Sequence, residues 1–307
     1  MAPATQVPSP SLTARAPRPM LGIAMVLAFC TLAPIGDAAA KVLGDRVPLI
    51  EVLLVRFALT LVLVPFARDG IRAIIASPRL LRLTVVRSGL HVAATAMFFV
   101  SLRYLELADA IAIAFAMPFV LLLLGRFFGG EEAGPRRIAA CVVGFAGTLL
   151  VVQPSFADVG LPALLPLGVA VLFALFMLVT RQLAVATDAV ALQALGGALL
   201  VPCLFGALLV SNATGWIEAS WPDPREALLL LAIGTIGVTA HLTMTWALRY
   251  VSASAAAPVQ YVEIPIATLV GWVVFGDWPD GRAAIGIAVI VVAGLTVIWL
   301  ERRASVR

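Results

Sequence analysis

Charge is scarce in this chain: Asp, Glu, Lys and Arg together make up 12% of its 307 residues, about half the share of an ordinary soluble domain. Histidine occurs only at His91 and His241, and cysteine only at Cys30, Cys141 and Cys203. Ligands so few and so far apart exclude a zinc or iron–sulfur motif, and an odd number of cysteines inside apolar stretches argues against a disulfide framework. No Walker loop, nucleophile elbow or flavin fingerprint occurs, so the sequence calls for no cofactor, no metal and no enzyme activity. The net charge is +4, but the basic residues are scattered at the ends of apolar runs and form no patch for nucleic acid.

What the chain does have is apolar length. Hydrophobic residues make up 62% of it, and lipid is the solvent that composition fits. A crossing helix needs about 20 residues at ~1.5 Å each to span a hydrocarbon core of ~30 Å. Ten stretches qualify: 20–42, 48–67, 83–105, 107–128, 135–153, 161–182, 188–210, 226–248, 253–275 and 282–300. The expectation is an all-α polytopic membrane protein with ten transmembrane helices. Residues 1–19 are rich in Pro, Ala and Ser and contain Arg15 and Arg18 but no acid, as in a disordered cytoplasmic tail. The apolar run that follows continues to Lys41 without a cleavage site, which argues against a signal peptide. With the N-terminus inside, fourteen Lys and Arg fall in inner loops and tails and five outside. That places both termini, including the 301–307 tail, in the cytoplasm of a cell whose inner (plasma) membrane holds the chain.

The second half echoes the first. Leu21-Gly22 recurs as Leu167-Gly168, Leu102-Arg103-Tyr104 as Leu248-Arg249-Tyr250, and Glu131 as Asp277, all at a lag of 146 residues. Pro118 precedes Glu131 by thirteen residues and Pro265 precedes Asp277 by twelve, pairing the fourth and ninth segments. A duplicated unit with five crossings must lie inverted relative to its copy, so 20–153 and 161–300 are expected to be two inverted five-helix repeats.

These features resemble the drug/metabolite transporter superfamily, in particular its EamA type, over residues 20 to 300. Asp37-x-x-x-Lys41 followed by Glu51-x-x-x-x-Arg56-Phe57 is similar to a subset of that family that includes riboflavin and S-adenosylmethionine uptake carriers. The resemblance implies a central cavity between the halves, open to either side in turn, with a small-molecule solute as partner; protons as a coupling ion are suggested by the titratable residues below.

Ionisable residues at bilayer depth are costly, which makes them the functional candidates. Glu263 lies about 15 Å into the ninth segment and His241 about 12 Å from the same face, while His91 is about 14 Å deep in the third. Glu263 can accept a ligand cation or carry a proton; the alternative is a structural kink with Glu263 tied to a neighbour. Each histidine can either titrate in a proton-coupled cycle or hydrogen-bond a facing helix as a neutral ring. Pro258 and Pro265 flank Gln260 and Tyr261 and, with Pro118 in the other half, mark broken helices. Tyr261, Glu263, His241, His91, Met117 and Gln260 are the expected solute contacts. Asp37 and Lys41 share a helix face and can neutralise each other; with Arg56 and Arg87 they form either a gate that recognises charge or a set of structural pairs.

Gly125-x-x-x-Gly129 has too little apolar sequence around it to argue a dimer, so oligomeric state stays open. Secondary transport of a small polar or amphipathic metabolite by alternating access fits this pattern best. Export of amino acids or drugs, or a non-transporting membrane scaffold, are the alternatives.

Overall fold

A computed structural model describes residues 19–44, 46–124, 135–216, 221–251, 256 and 259–305. They are all-helical, with no strand among them. In order the helices are α1 (Pro19–Leu43), α2 (Leu49–Ala58, continued by a 3-10 stretch Leu59–Phe66), α3 (Arg68–Ala76), α4 (Pro78–Ser101), α5 (Leu107–Ala114), α6 (Met117–Leu124), α7 (Pro135–Val159), α8 (Leu165–Ala186), α9 (Ala189–Ala213), α10 (Pro224–Tyr250), α11 (Glu263–Phe275) and α12 (Gly281–Ser305). Six helices among the described residues are long and apolar enough to cross a membrane: Met20–Leu43, Leu49–Phe66, Pro78–Ser101, Leu161–Ala186, Ala189–Ala213 and Pro224–Tyr250. Shorter apolar helices at Leu107–Leu121, Glu263–Phe275 and Gly281–Thr296 fall on three more of the expected segments.

Local chemistry sets the helix ends. Asp223 and Glu226 form a reciprocal capping box before α10, with Pro224 in the first turn. Asp188 accepts from the Ala191 amide at 3.0 Å to start α9, and Ser77 caps α4 ahead of Pro78. Gly276, at φ 78°, adopts the left-handed conformation that stops α11. The third span was expected from residue 83, because Arg79 and Arg82 were read as loop; both belong to the helix and point outward from its first turns. The nine-residue α3, which lays Ile74 against α9 and exposes Arg68 and Arg72, carries no span-length signal and was not expected.

Four helix starts recur 146 residues apart: Pro19 and Leu165, Pro78 and Pro224, Met117 and Glu263, Pro135 and Gly281. The main packing partners are α1 with α10, α8 with α4, α7 with α12, α2 with α9, and α5 with α11. In addition α8 packs on α5 and α6, α1 on α11, α2 on α10 and α9 on α4.

Polarity runs inside out relative to a soluble protein. Val85, Val86, Leu209, Val210, Leu228, Val273 and Val292 are exposed, whereas Arg56, Arg87, His91, Gln193, His241 and Glu263 are buried. Trp216, Trp221 and Trp278 stand exposed at helix ends, the positions of interfacial anchors.

Close approach between helices depends on small residues. A Cβ at Gly197 would overlap the Thr60 hydroxyl and stand 2.9 Å from the Phe57 carbonyl oxygen, where α9 meets α2. A Cβ at Gly206 on the same helix would meet nothing within 4 Å. Gly197→Ala is therefore expected to lower stability by about 1–3 kcal/mol, and Gly206→Ala to leave it unchanged, in thermal unfolding of the purified protein in detergent.

Candidate functional site

Where α1, α2, α4, α8 and α10 converge with the helix break before α11, the bundle lines a half-open cavity of about 690 Å³, a volume that includes its solvent-open mouth. Its wall includes Asp37, Arg56, Met117, His241, Gln260 and Glu263, six of the residues singled out in the sequence. Aromatic rings of Phe29, Phe98, Phe99, Phe115 and Phe173 make up much of the rest, with Thr95. Sequence reasoning passed over the phenylalanines because a Phe in an apolar span looks like any core residue. Thr95 had a signal: it lies 146 residues before His241.

The charged part of the wall is ordered by one contact. Arg56 Nη2 lies 3.2 Å from His241 Nε2, and the guanidinium covers the Phe99 ring at 5.3 Å. Gly237 makes room for it, since a Cβ there would sit 3.1 Å from the Arg56 guanidinium carbon. His241 also meets His91, with ring centroids 4.2 Å apart. Nε2 of His91, Nδ1 of His241 and Oε1 of Gln260 are buried without a hydrogen-bond partner among the described residues.

His91 and Arg87 lie behind this wall, beside a smaller void shared with Thr60, Ser88 and Gln193. Arg87 donates to Thr180 Oγ1 at 3.0 Å, Gln193 Oε1 at 2.9 Å and Thr245 Oγ1 at 3.4 Å. Its charge also rests on the Phe176 ring at 4.8 Å. These neutral oxygens tie α4 to α8, α9 and α10, a bracing arrangement outside the central cavity.

Tyr261 is also outside the cavity lining. It is fully buried in the turn that precedes α11, and its ring packs on Phe115 at 5.6 Å. A Cβ on Gly144 of α7 would stand 2.5 Å from its hydroxyl oxygen. Phe115 occupies the equivalent turn between α5 and α6, 146 residues earlier. Both breaks occur just before a proline. Pro118 is the second residue of α6 and Pro265 the third of α11, within the first turn, where the missing amide has no intrahelical acceptor to lose. Each proline thus starts a helix after the break instead of kinking one. Pro258 lies outside the described residues.

At the rim, Lys41 turns away from Asp37, against the i,i+4 pairing expected. Its ammonium lies 3.4 Å from Asp277 Oδ2, donates to the Leu105 carbonyl at 3.1 Å and covers the Phe275 ring at 4.8 Å. The longer stem reaches the more hydrated edge, leaving Asp37 one turn deeper in the cavity wall. Burial and the carboxylates of Asp109 and Asp277 push the nearby Glu106 carboxyl up from its ordinary value, while Lys41 pulls it down.

A lipid-adapted helical bundle around a largely aromatic cavity edged by a few ionisable groups fits a multi-pass membrane transporter. The chain belongs to the EamA-like transporter family, whose profile matches residues 20–153 and again 160–300. It is 31% identical to a riboflavin transporter of Rhizobium johnstonii over 195 residues, 64% of this chain and 63% of that one, so under two thirds of that relative is spanned. It is 25% identical to an S-adenosylmethionine uptake transporter of Rickettsia felis over 293 residues, 94% of this chain and 96% of that one. A crystal structure with 22% identity superposes with a TM-score of 0.65, covering 93% of this chain and 97% of the other, which shows the shared fold.

The Lys41–Asp277 bridge is partly exposed, at 18% and 28% of the two side chains. A double-mutant cycle with Lys41→Ala and Asp277→Ala is expected to give a coupling of about 0.2–1 kcal/mol at low ionic strength. Because exposed pairs are screened, the coupling should vanish in molar salt when stability is measured by thermal unfolding.

Proposed function

We propose that the chain is a secondary transporter with ten crossings, built from inverted five-helix repeats at 20–153 and 161–300, that moves a small polar or amphipathic metabolite across the inner membrane by alternating access. Both termini are cytoplasmic, following the Lys and Arg bias. The observation that carries the reading is the cavity placed where the two halves meet, with ionisable groups from both in its wall. The packing supports it: exchanging α1 with α8, α2 with α9, α4 with α10, α5 and α6 with α11, and α7 with α12 leaves the main packing partners given above unchanged. The 146-residue recurrence of helix starts and of the two breaks supports it further.

Solute contacts are assigned to Asp37, Arg56, Met117, His241, Gln260 and Glu263, backed by the five phenylalanines. Riboflavin and S-adenosylmethionine, named for two relatives, both carry a planar heteroaromatic ring. Such a ring can stack on Phe side chains while its polar edge meets the charged groups. Lys41 and Asp277 gate the rim, Arg87 braces the bundle, and Tyr261 and His91 support the wall from behind.

Glu263, at the start of α11, is the carboxylate best placed to exchange a proton with the cavity. In proteoliposomes, Glu263→Gln is expected to lower uptake of labelled riboflavin or S-adenosylmethionine about tenfold or more, the equivalent of ~1.4 kcal/mol, and to flatten its pH dependence. Uptake unchanged at every pH would take Glu263 out of the mechanism.

A further inference from the structure

We propose that His241 Nε2 is a proton-binding site at which a proton and the Arg56 guanidinium compete for one lone pair, so that protonation releases Arg56 into the cavity. In what it contributes to transport, this deepens the reading above; the competition itself does not depend on any solute.

The argument is donor arithmetic. A guanidinium has five N–H donors and no acceptor. In the 3.2 Å contact Arg56 Nη2 therefore donates and His241 Nε2 accepts. That requires a neutral imidazole with its single proton on Nδ1, the nitrogen without a partner among the described residues. A second proton, on Nε2, removes the acceptor and sets two cations against each other. One of them must move, and the surroundings decide which. His241 is carried by a packed helix and hemmed in by the rings of Phe29, His91, Phe173 and Phe176. Among the described residues Arg56 is held otherwise by the Phe99 face, the space left by Gly237 and the attraction of the Asp37 carboxylate, and it borders the cavity together with Asp37.

The other charged or titratable groups around His241 sort into the same picture. Helix α1 contributes Asp37, the carboxylate that can receive the freed guanidinium. From α2 comes Arg56 itself, and from the start of α11 comes Glu263. On α4, His91 touches the ring, and Arg87 is fixed by Thr180, Gln193 and Thr245. Helix α9 adds only the neutral Gln193, while α8 faces His241 with Phe173 and Phe176. Of the two arginines, Arg56 alone has somewhere to go. Released guanidinium can pair with Asp37 or with an acidic group on the solute, which ties proton arrival to the charge presented to the cargo.

The chain has only two histidines, so the test is direct. Full-length protein labelled with 15N-histidine in nanodiscs, free of solute, gives two imidazole signal sets in long-range 1H–15N spectra, assigned with His91→Gln. At about pH 8 the wild-type His241 ring is expected to be neutral, with its proton on Nδ1 and Nε2 as acceptor, and to gain a second proton on Nε2 only as the pH is lowered. In Arg56→Gln the ring is expected to take up a proton with a midpoint about one pH unit or more higher. Arg56→Lys, which keeps a cationic donor, should restore the wild-type spectrum and exclude misfolding as the cause. A neutral wild-type ring that carries its single proton on Nε2, or identical titrations of wild type and Arg56→Gln, would overturn the proposal. Absence of riboflavin or S-adenosylmethionine uptake by the same wild-type preparation at every pH would count against the transport reading alone, because the tautomer is read without cargo.

Discussion

Charge inside a bundle that faces lipid has to be solvated by the protein itself. Exposed positions on the helices are filled by Val and Leu, so every buried cation must find its partners among neighbouring helices. The molecule meets this demand in two ways. Arg87 is caged by the oxygens of Thr180, Gln193 and Thr245 and by the face of Phe176. Those partners come from three other helices, so solvating the charge also fastens α4 to α8, α9 and α10. Arg56 is treated differently: one imidazole nitrogen, one ring face and the attraction of Asp37 hold it at the edge of open space. The same side chain type serves as a brace in one place and as a movable charge in the other, and the number of engaged donors makes the difference.

Backbone irregularity follows the same logic. A helix interrupted at membrane depth leaves amides and carbonyls that lipid cannot satisfy, so breaks are confined to protein-lined or wet regions. The turn at Tyr261 and Val262 is closed by short-range bonds, Val262 N to Val259 O at 3.2 Å and Ile264 N to Tyr261 O at 3.3 Å. Immediately after it, Glu263 occupies the first turn of α11, where a carboxylate complements the positive end of the helix. The corresponding turn at Phe115 lies against Tyr261, so the two breaks buttress each other at the back of the cavity.

The parts of this arrangement visible in the sequence are those with local causes. Helix ends at Asp188, Asp223 and Gly276 follow from capping chemistry, and the depth of His91 and His241 follows from counting residues at a fixed rise. Comparable depth made their meeting possible; only the packing of α4 near α10 brings the rings to 4.2 Å. The Lys41 partner was beyond reach, because Asp277 is 236 residues away in sequence, while Asp37 offered a plausible partner four residues back. Tyr261 and His91 were assigned to the solute from their depth, and depth does not say which way a side chain points.

On the two-half reading, the site lies where the copies have diverged. At the 146-residue spacing, Met117 stands opposite Glu263, Thr95 opposite His241, and His91 opposite Gly237. In the first of these pairs one copy has an apolar side chain and the other a carboxylate at the same helix start. The last pair is the most instructive. Where one half places an imidazole, the other places no side chain, and the vacated volume is taken by the Arg56 guanidinium. That guanidinium then reaches His241, the neighbour of the retained imidazole. A symmetric pair of halves would have put a ring at both positions and left Arg56 without a seat. The absence of a side chain at Gly237 is thus what lets a charge from the first half reach an acceptor from the second.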